Sequence, residues 1–178
     1  MQNIKKIKST NIIGLYEIEL KSFADQRGNF KVLFNHSEFK SKKINSKTMS
    51  QLNLAFSKKK HTIRGMHYQV YPYSQSKLIH VLSGKVFDCV IDIRKNSKTY
   101  NNVYTKVLNQ NSNLMLFVPR GLAHGYLTLT ENVKFLYITD NKYNKKSERS
   151  LSWKDSRLIN KWPLKNTKKI IISKKDNF

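Results

Sequence analysis

Residues 85–94 read Lys-Val-Phe-Asp-Cys-Val-Ile-Asp-Ile-Arg. Phe87, Cys89, Ile91 and Ile93 recur at period two and form an apolar face. Val86, Asp88, Val90 and Asp92 form a mixed one. Side chains alternate between two faces in a strand, so the pattern predicts a strand. Upstream, Lys77–Leu82 is a second β-branched run, and Ser83-Gly84 between the two has the length of a hairpin loop. A hairpin there pairs Leu82 with Lys85 and Ile79 with Asp88. Lys77, Ile79 and Val81 then share a face with Val86, Asp88 and Val90. A Lys and an Asp on an inward face are costly unless paired or functional, so that face is a candidate binding cavity. His80 falls on the opposite face, beside Phe87, and reads as structural.

Downstream, Leu114–Val118 is a short apolar strand stopped by Pro119-Arg120-Gly121. Gly125–Thr130 and Val133–Thr139 follow, separated by a polar turn. Short strands at close spacing predict a sandwich or barrel. Trp153–Asn160 reads as a short helical segment. Ile170–Ile172 reads as a final strand before the polar Ser173-Lys174-Lys175-Asp176.

The chain has 178 residues, 39% of them hydrophobic, enough for one domain with its own core. Repeats and Pro- or Gly-rich linkers are lacking, so residues 1–178 are read as one domain. Lys and Arg outnumber Asp and Glu by 34 to 11, a formal charge of +23. The lysines are scattered, and the densest groups, Lys58-Lys59-Lys60 and Lys168-Lys169, are short. The expectation is therefore no specific nucleic-acid partner, although such a surface attracts a small diphosphate. No apolar run approaches the ~20 residues of a membrane span, and Met1–Lys8 lacks the apolar stretch of a signal peptide. A cytoplasmic protein away from membranes is expected. The single cysteine, Cys89, excludes an intramolecular disulfide and a multi-cysteine zinc site.

Three segments carry chemistry. The first is Gln51-Leu52-Asn53 with Arg64-Gly65-Met66-His67-Tyr68-Gln69. The second is Pro119-Arg120-Gly121-Leu122-Ala123-His124-Gly125. The third is Phe135-Leu136-Tyr137, with Tyr143 and Glu148-Arg149-Ser150 behind it. In this order, with Asp25-Gln26-Arg27-Gly28-Asn29-Phe30 ahead of them, Lys77 and Gly84–Asp88 between, and Trp153, Asp155 and Trp162-Pro163 after, they resemble the dTDP-4-dehydrorhamnose 3,5-epimerase family. The resemblance covers most of the chain. It departs at Gln75-Ser76-Lys77, where the family usually has Gln-Gly-Lys, and in the aromatic Tyr71-Pro72-Tyr73-Ser74 before it.

The resemblance implies an all-β, cupin-like jelly-roll barrel with a few short helical segments, its core at about residues 20–140. It implies that His67 is the catalytic base and Asp176 the carboxylate orienting it. Lys77 contacts the C4 oxygen of the sugar, and Tyr137 is the acid on its other face. Arg27, Phe30, Gln51, Asn53, Arg64, Asp88, His124 and Tyr143 match substrate-binding positions. It also implies a homodimer with exchanged strands, so that some ligands come from the partner chain.

The implied substrate is a nucleotide-linked 4-keto-6-deoxy sugar, with dTDP as the nucleotide, inverted at C3, C5 or both. A C–H beside a ketone is acidic because its anion spreads onto the carbonyl oxygen, where a cation such as Lys77 stabilises it. A neutral histidine, with a reference pKa of about 6.5, accepts the proton at working pH, and a tyrosine can return one from the opposite side. The sugar's oxidation state does not change, and Lys77 takes the place of a Lewis acid, so no cofactor and no metal are expected. The rival is a metal-dependent cupin enzyme. Pro119-x-Gly121-x-x-His124 fits half of that signature. His67-Tyr68-Gln69 lacks the second histidine and the glutamate of the other half.

Overall fold

The computed structural model describes residues 2–41, 49–165 and 167–178. Its elements run β1 (Ile4–Ser9), β2 (Tyr16–Leu20), β3 (Phe23–Asp25), β4 (Gly28–Phe30), α1 (His36–Ser41) and β5 (Gln51–Ser57). Then come β6 (Ile63–Gln69), β7 (Lys77–Ser83), β8 (Lys85–Asp92), β9 (Val103–Asn109) and β10 (Leu114–Val118). The last strands are β11 (Leu122–Thr128), β12 (Val133–Thr139) and β13 (Glu148–Ser150). A six-stranded sheet has the order β1-β2-β10-β7-β12-β5, and a five-stranded sheet has the order β13-β6-β11-β8-β9. Pairing within both is antiparallel. The small β3–β4 ribbon stands apart from them. Two such sheets face to face are the jelly-roll arrangement.

Alternation sorts the apolar residues into three cores. Ile79 and Val81 of β7, Leu116 and Val118 of β10, and Phe135 of β12 meet Val86 and Val90 of β8 between the sheets. Cys89, Ile91, Ile63 and Met66 point outward from the five-stranded sheet, under Trp153, Leu158 and Trp162. Leu78, Met115 and Phe117 point outward from the six-stranded sheet, under Phe39 of α1.

The expected hairpin at Ser83-Gly84 is corrected. β7 is paired on both sides, by β10 and β12, and β8 is paired by β11 and β9. The chain turns at Gly84 and crosses from one sheet to the other. Gly84 has φ +80°, and a Cβ there would lie 2.6 Å from Thr130 Oγ1 and 2.9 Å from Val133 Cγ2. Face parity is the same for a hairpin and for this corner, so Lys77 and Asp88 still point into one interior, but from opposite walls. His80 is buried on the outer face, its Nδ1 3.1 Å from the Leu114 carbonyl oxygen, and it does not lie on a strand beside Phe87.

Two terminal expectations also change. Residues 153–158 run through turns, followed by a 3₁₀ turn at Ile159–Lys161. Asp155 diverts the helix: its carboxylate accepts from the Arg157 amide at 3.0 Å and from the Arg157 guanidinium. Ile170–Ile172 contributes a single parallel bridge, Ile171 to Thr62, rather than a strand. A 3₁₀ turn at Lys174–Asp176 follows it.

Candidate active site

A bulge aims the site. On β11 and β6, His124 stands opposite His67 and Tyr126 opposite Arg64. Two steps on β11 therefore match three on β6. Plain alternation would turn Arg64 and His67 to opposite faces, and the extra residue brings both inward. Met66 stays in the outer core. Gly65 makes this possible with φ +120°, and a Cβ there would fall 2.5 Å from Gly125 Cα. A Cβ on Gly125 would in turn lie 2.7 Å from the Arg64 carbonyl oxygen.

The inward face lines a cavity of about 570 Å³, within the size range of small-molecule sites. His67 projects into it. Its Nε2 lies 2.6 Å from Asp176 Oδ1, and Asp176 Oδ2 accepts from Ser173 Oγ at 2.8 Å. The bridge at Ile171 brings this carboxylate in: Ile63 donates to the Ile171 carbonyl at 2.8 Å, and Ile171 to the His61 carbonyl at 2.9 Å. A carboxylate on Nε2 favours the tautomer that leaves Nδ1 as the free lone pair. Burial pushes the His67 pKa below its ordinary 6.5, Asp176 opposes that, and Lys175 and Lys77 add to it.

Lys77, half-buried, donates to the His67 carbonyl at 3.2 Å. Burial draws its ammonium pKa down to about 8 against the opposing pull of Asp88 and Glu148. Beneath it His124 Nε2 lies 2.8 Å from Asp88 Oδ2. The Tyr137 hydroxyl is pushed above the usual phenol range by burial, an effect that Arg64 and Lys175 reduce. Tyr126 stacks on Phe135 with ring centroids 4.2 Å apart. At the mouth Glu148 accepts from Lys175 at 2.8 Å and from the Tyr143 hydroxyl at 3.0 Å. The five-stranded sheet thus supplies an imidazole, and neighbouring strands of the six-stranded sheet a cation and a phenol, to one cavity, which suits proton abstraction beside a carbonyl.

Of the positions singled out in the sequence, His67, Lys77, Tyr137, Asp176, Arg64, His124 and Tyr143 line this cavity. Asp88 lies behind the wall, on His124. Gln51 and Asn53 bond to each other at 2.7 Å just outside, with Gln51 Oε1 accepting from the Tyr143 amide at 3.3 Å. Arg27 and Phe30 stand exposed on the β3–β4 ribbon, away from this chain's cavity, and Arg27 pairs with Asp25. Sequence reasoning gave no role to Gln75, Tyr126, Glu148 and Lys175, which also line the cavity. Tyr126 was within reach, two residues from His124 on the same strand face. An acid such as Glu148 in so basic a chain is itself a signal. Lys175 sits in an irregular tail that carries no periodicity.

The sequence profile of the family described as dTDP-4-dehydrorhamnose 3,5-epimerase matches residues 9–178. A Shigella flexneri protein named dTDP-4-dehydrorhamnose 3,5-epimerase is 36% identical over 167 residues, covering 94% of this chain and 90% of its own. The crystal structure of the Bacillus anthracis enzyme of that name, with TDP and PPi bound, superposes with a TM-score of 0.90. It is 31% identical over 97% of each chain. A Legionella pneumophila dTDP-6-deoxy-D-glucose-3,5-epimerase in complex with dTDP-4-keto-L-rhamnose superposes with a TM-score of 0.89. It is 33% identical over 96% of this chain and 89% of its own.

Proposed function

The chain belongs to the dTDP-4-dehydrorhamnose 3,5-epimerase family, and from that premise we infer that it is an isomerase. It inverts C3 and C5 of dTDP-4-dehydro-6-deoxyglucose to give dTDP-4-dehydrorhamnose. The family match over residues 9–178 carries the conclusion.

In this reading His67 removes the proton beside the C4 ketone, and the electrons of the broken C–H bond move onto the carbonyl oxygen. Lys77, on β7, meets that charge. Tyr137 gives its hydroxyl proton to the opposite face of the carbon, the C–H bond re-forms inverted, and the His67 imidazolium loses its proton to solvent as the phenolate regains one. Asp176 holds the His67 ring and offsets the charge it gains. Arg64 and Lys175 bring positive charge, and Tyr143 a phenol, to the nucleotide diphosphate part, while Glu148 holds Lys175 and Tyr143. The support for these roles is the common cavity and the His67–Asp176 and Lys77–His67 bonds.

A homodimer and a cytoplasmic location belong to the same proposal. Leu52, Leu54 and Phe56 stand exposed along β5, an edge strand, and such an edge calls for a cover. Arg27 and Phe30 project from the β3–β4 ribbon, available to a partner's cavity. Among the described residues no helix is long and apolar enough to cross a membrane.

The test is incubation with dTDP-4-keto-6-deoxyglucose in D₂O, read by proton NMR. Deuterium should enter at C3 and C5 with formation of the rhamno product. Exchange at one carbon alone would make it a single-position epimerase, and exchange at neither would overturn the reading.

A further inference from the structure

On the reading that this cavity is an epimerase site, we propose that Asp88 is a positioning residue with two tasks. It fixes the ring of His124, and it is the counter-charge that keeps Lys77 an ammonium.

Asp88 points inward from β8 and is fully buried behind the cavity wall. One oxygen is spoken for: His124 Nε2 lies 2.8 Å from Oδ2. The other, Oδ1, has no hydrogen-bond partner among the described residues. A buried carboxylate half satisfied in this way is costly unless a cation shares its enclosure. Lys77 enters the same interior from the facing sheet, and the hydrogen bond its ammonium makes is to the His67 carbonyl.

The titratable groups around Lys77 come from every neighbouring element. They include Arg64, His67 and Tyr68 on β6, His124 and Tyr126 on β11, Tyr137 on β12, Tyr143, Glu148 on β13, and Lys175 and Asp176 in the tail. The competing acids are already engaged. Glu148 holds Lys175 and Tyr143, and Asp176 holds His67 and Ser173. Asp88 is also the acid that pulls hardest on Lys77, ahead of Glu148. Burial has already brought Lys77 to about 8 with Asp88 in place. Without Asp88, much of it would be an amine at neutral pH, and the developing enolate would lose its cation. His124 completes the arrangement. With Nε2–H given to the carboxylate, its Nδ1 is the remaining lone pair and its ring stays stacked toward Phe135.

The experiment is an NMR titration of ¹³C,¹⁵N-lysine protein without substrate, in which the Lys77 signal is identified by its absence in Lys77→Arg. The wild-type midpoint is expected near 8. In Asp88→Asn, which keeps size and can still bond His124, the midpoint should move at least about one pH unit lower. An unmoved midpoint in folded Asp88→Asn overturns the proposal. A second readout uses wild-type protein labelled with ¹³C-aspartate: the Asp88 carboxyl signal, identified by its absence in Asp88→Asn, must step as Lys77 loses its proton near pH 8, and a flat signal overturns the proposal equally. Turnover supplies a third. The basic limb of kcat should move with the Lys77 midpoint while KM changes little, whereas a merely structural role would lower kcat equally at every pH. The NMR readouts use no sugar, so they stand or fall separately from the epimerase reading.

Discussion

His67 Nε2 stands 2.6 Å from Asp176 Oδ1, with the carboxylate almost wholly buried and about a quarter of the imidazole side chain open. The imidazole opens to the cavity while its partner is shielded from water. His67→Asn should therefore abolish deuterium wash-in. Asp176→Asn should slow it by roughly 10²–10⁴-fold, since it takes away the group that selects the tautomer and stabilises the imidazolium. Both proteins should melt near the wild-type temperature. Normal turnover in folded Asp176→Asn would mean that another group orients His67.

Tyr137 acts after abstraction in this scheme. Tyr137→Phe should keep part of the hydrogen exchange and lose net inversion, measured by following deuterium and product in the same NMR tube. Equal loss of both would leave Tyr137 only a positioning role.

The pH dependence has a definite sign. The base must be neutral, and the His67 pKa lies below 6.5, so kcat/KM should rise along an acid limb below that value. Lys77 must be charged, and its pKa is about 8, so the rate should fall as pH rises through that value. A bell with these two limbs is expected. A plateau running on to pH 10 would remove Lys77 from the mechanism.

Metal is a separate question. His67-Tyr68-Gln69 offers one imidazole where a metal cupin needs two and a glutamate. Turnover should survive exhaustive chelation. Loss of activity restored by one particular divalent ion would revive the metal-enzyme reading.

The crossing of β6 and β11 is tight enough to measure. Gly65→Ala puts a side chain at φ +120° and 2.5 Å from the backbone of Gly125. The backbone strain alone costs about 1–3 kcal/mol, and each kcal/mol lowers Tm by about 2–4 °C in a chain of this size. Activity should fall further than stability, because the bulge sets the direction of His67. An unchanged Tm would show that the crossing can open at no cost.

The outline of the fold was legible because a period-two pattern survives in β8 and turn residues bound the runs that become β10 and β12, whose predicted and observed bounds nearly coincide. Pairing was not. A Ser-Gly turn says that the chain bends, and a hairpin and a sheet-crossing corner leave the same parity, so Lys77 and Asp88 could be given one interior but not their separate walls. The bulge left only Gly65 as a trace, and strict alternation would have sent Arg64 outward from His67. Arg27 and Phe30 could be picked out by type and order, yet this chain alone does not carry them to its cavity. Asp155 hid its turn because its side chain, not the residue pattern, stops the helix at Trp153–Asn160.

Lys77 and Asp88 point into one interior from two sheets, so no strand register fixes their separation. The thickness of the sandwich fixes it, and that thickness is set by Val81, Val86, Leu116 and Phe135, which fill the layer between the sheets. Coulomb energy varies inversely with distance, so these side chains act as spacers whose volume is read out as electric field. A methyl group removed deep in that layer should therefore be felt as a change of field at Lys77.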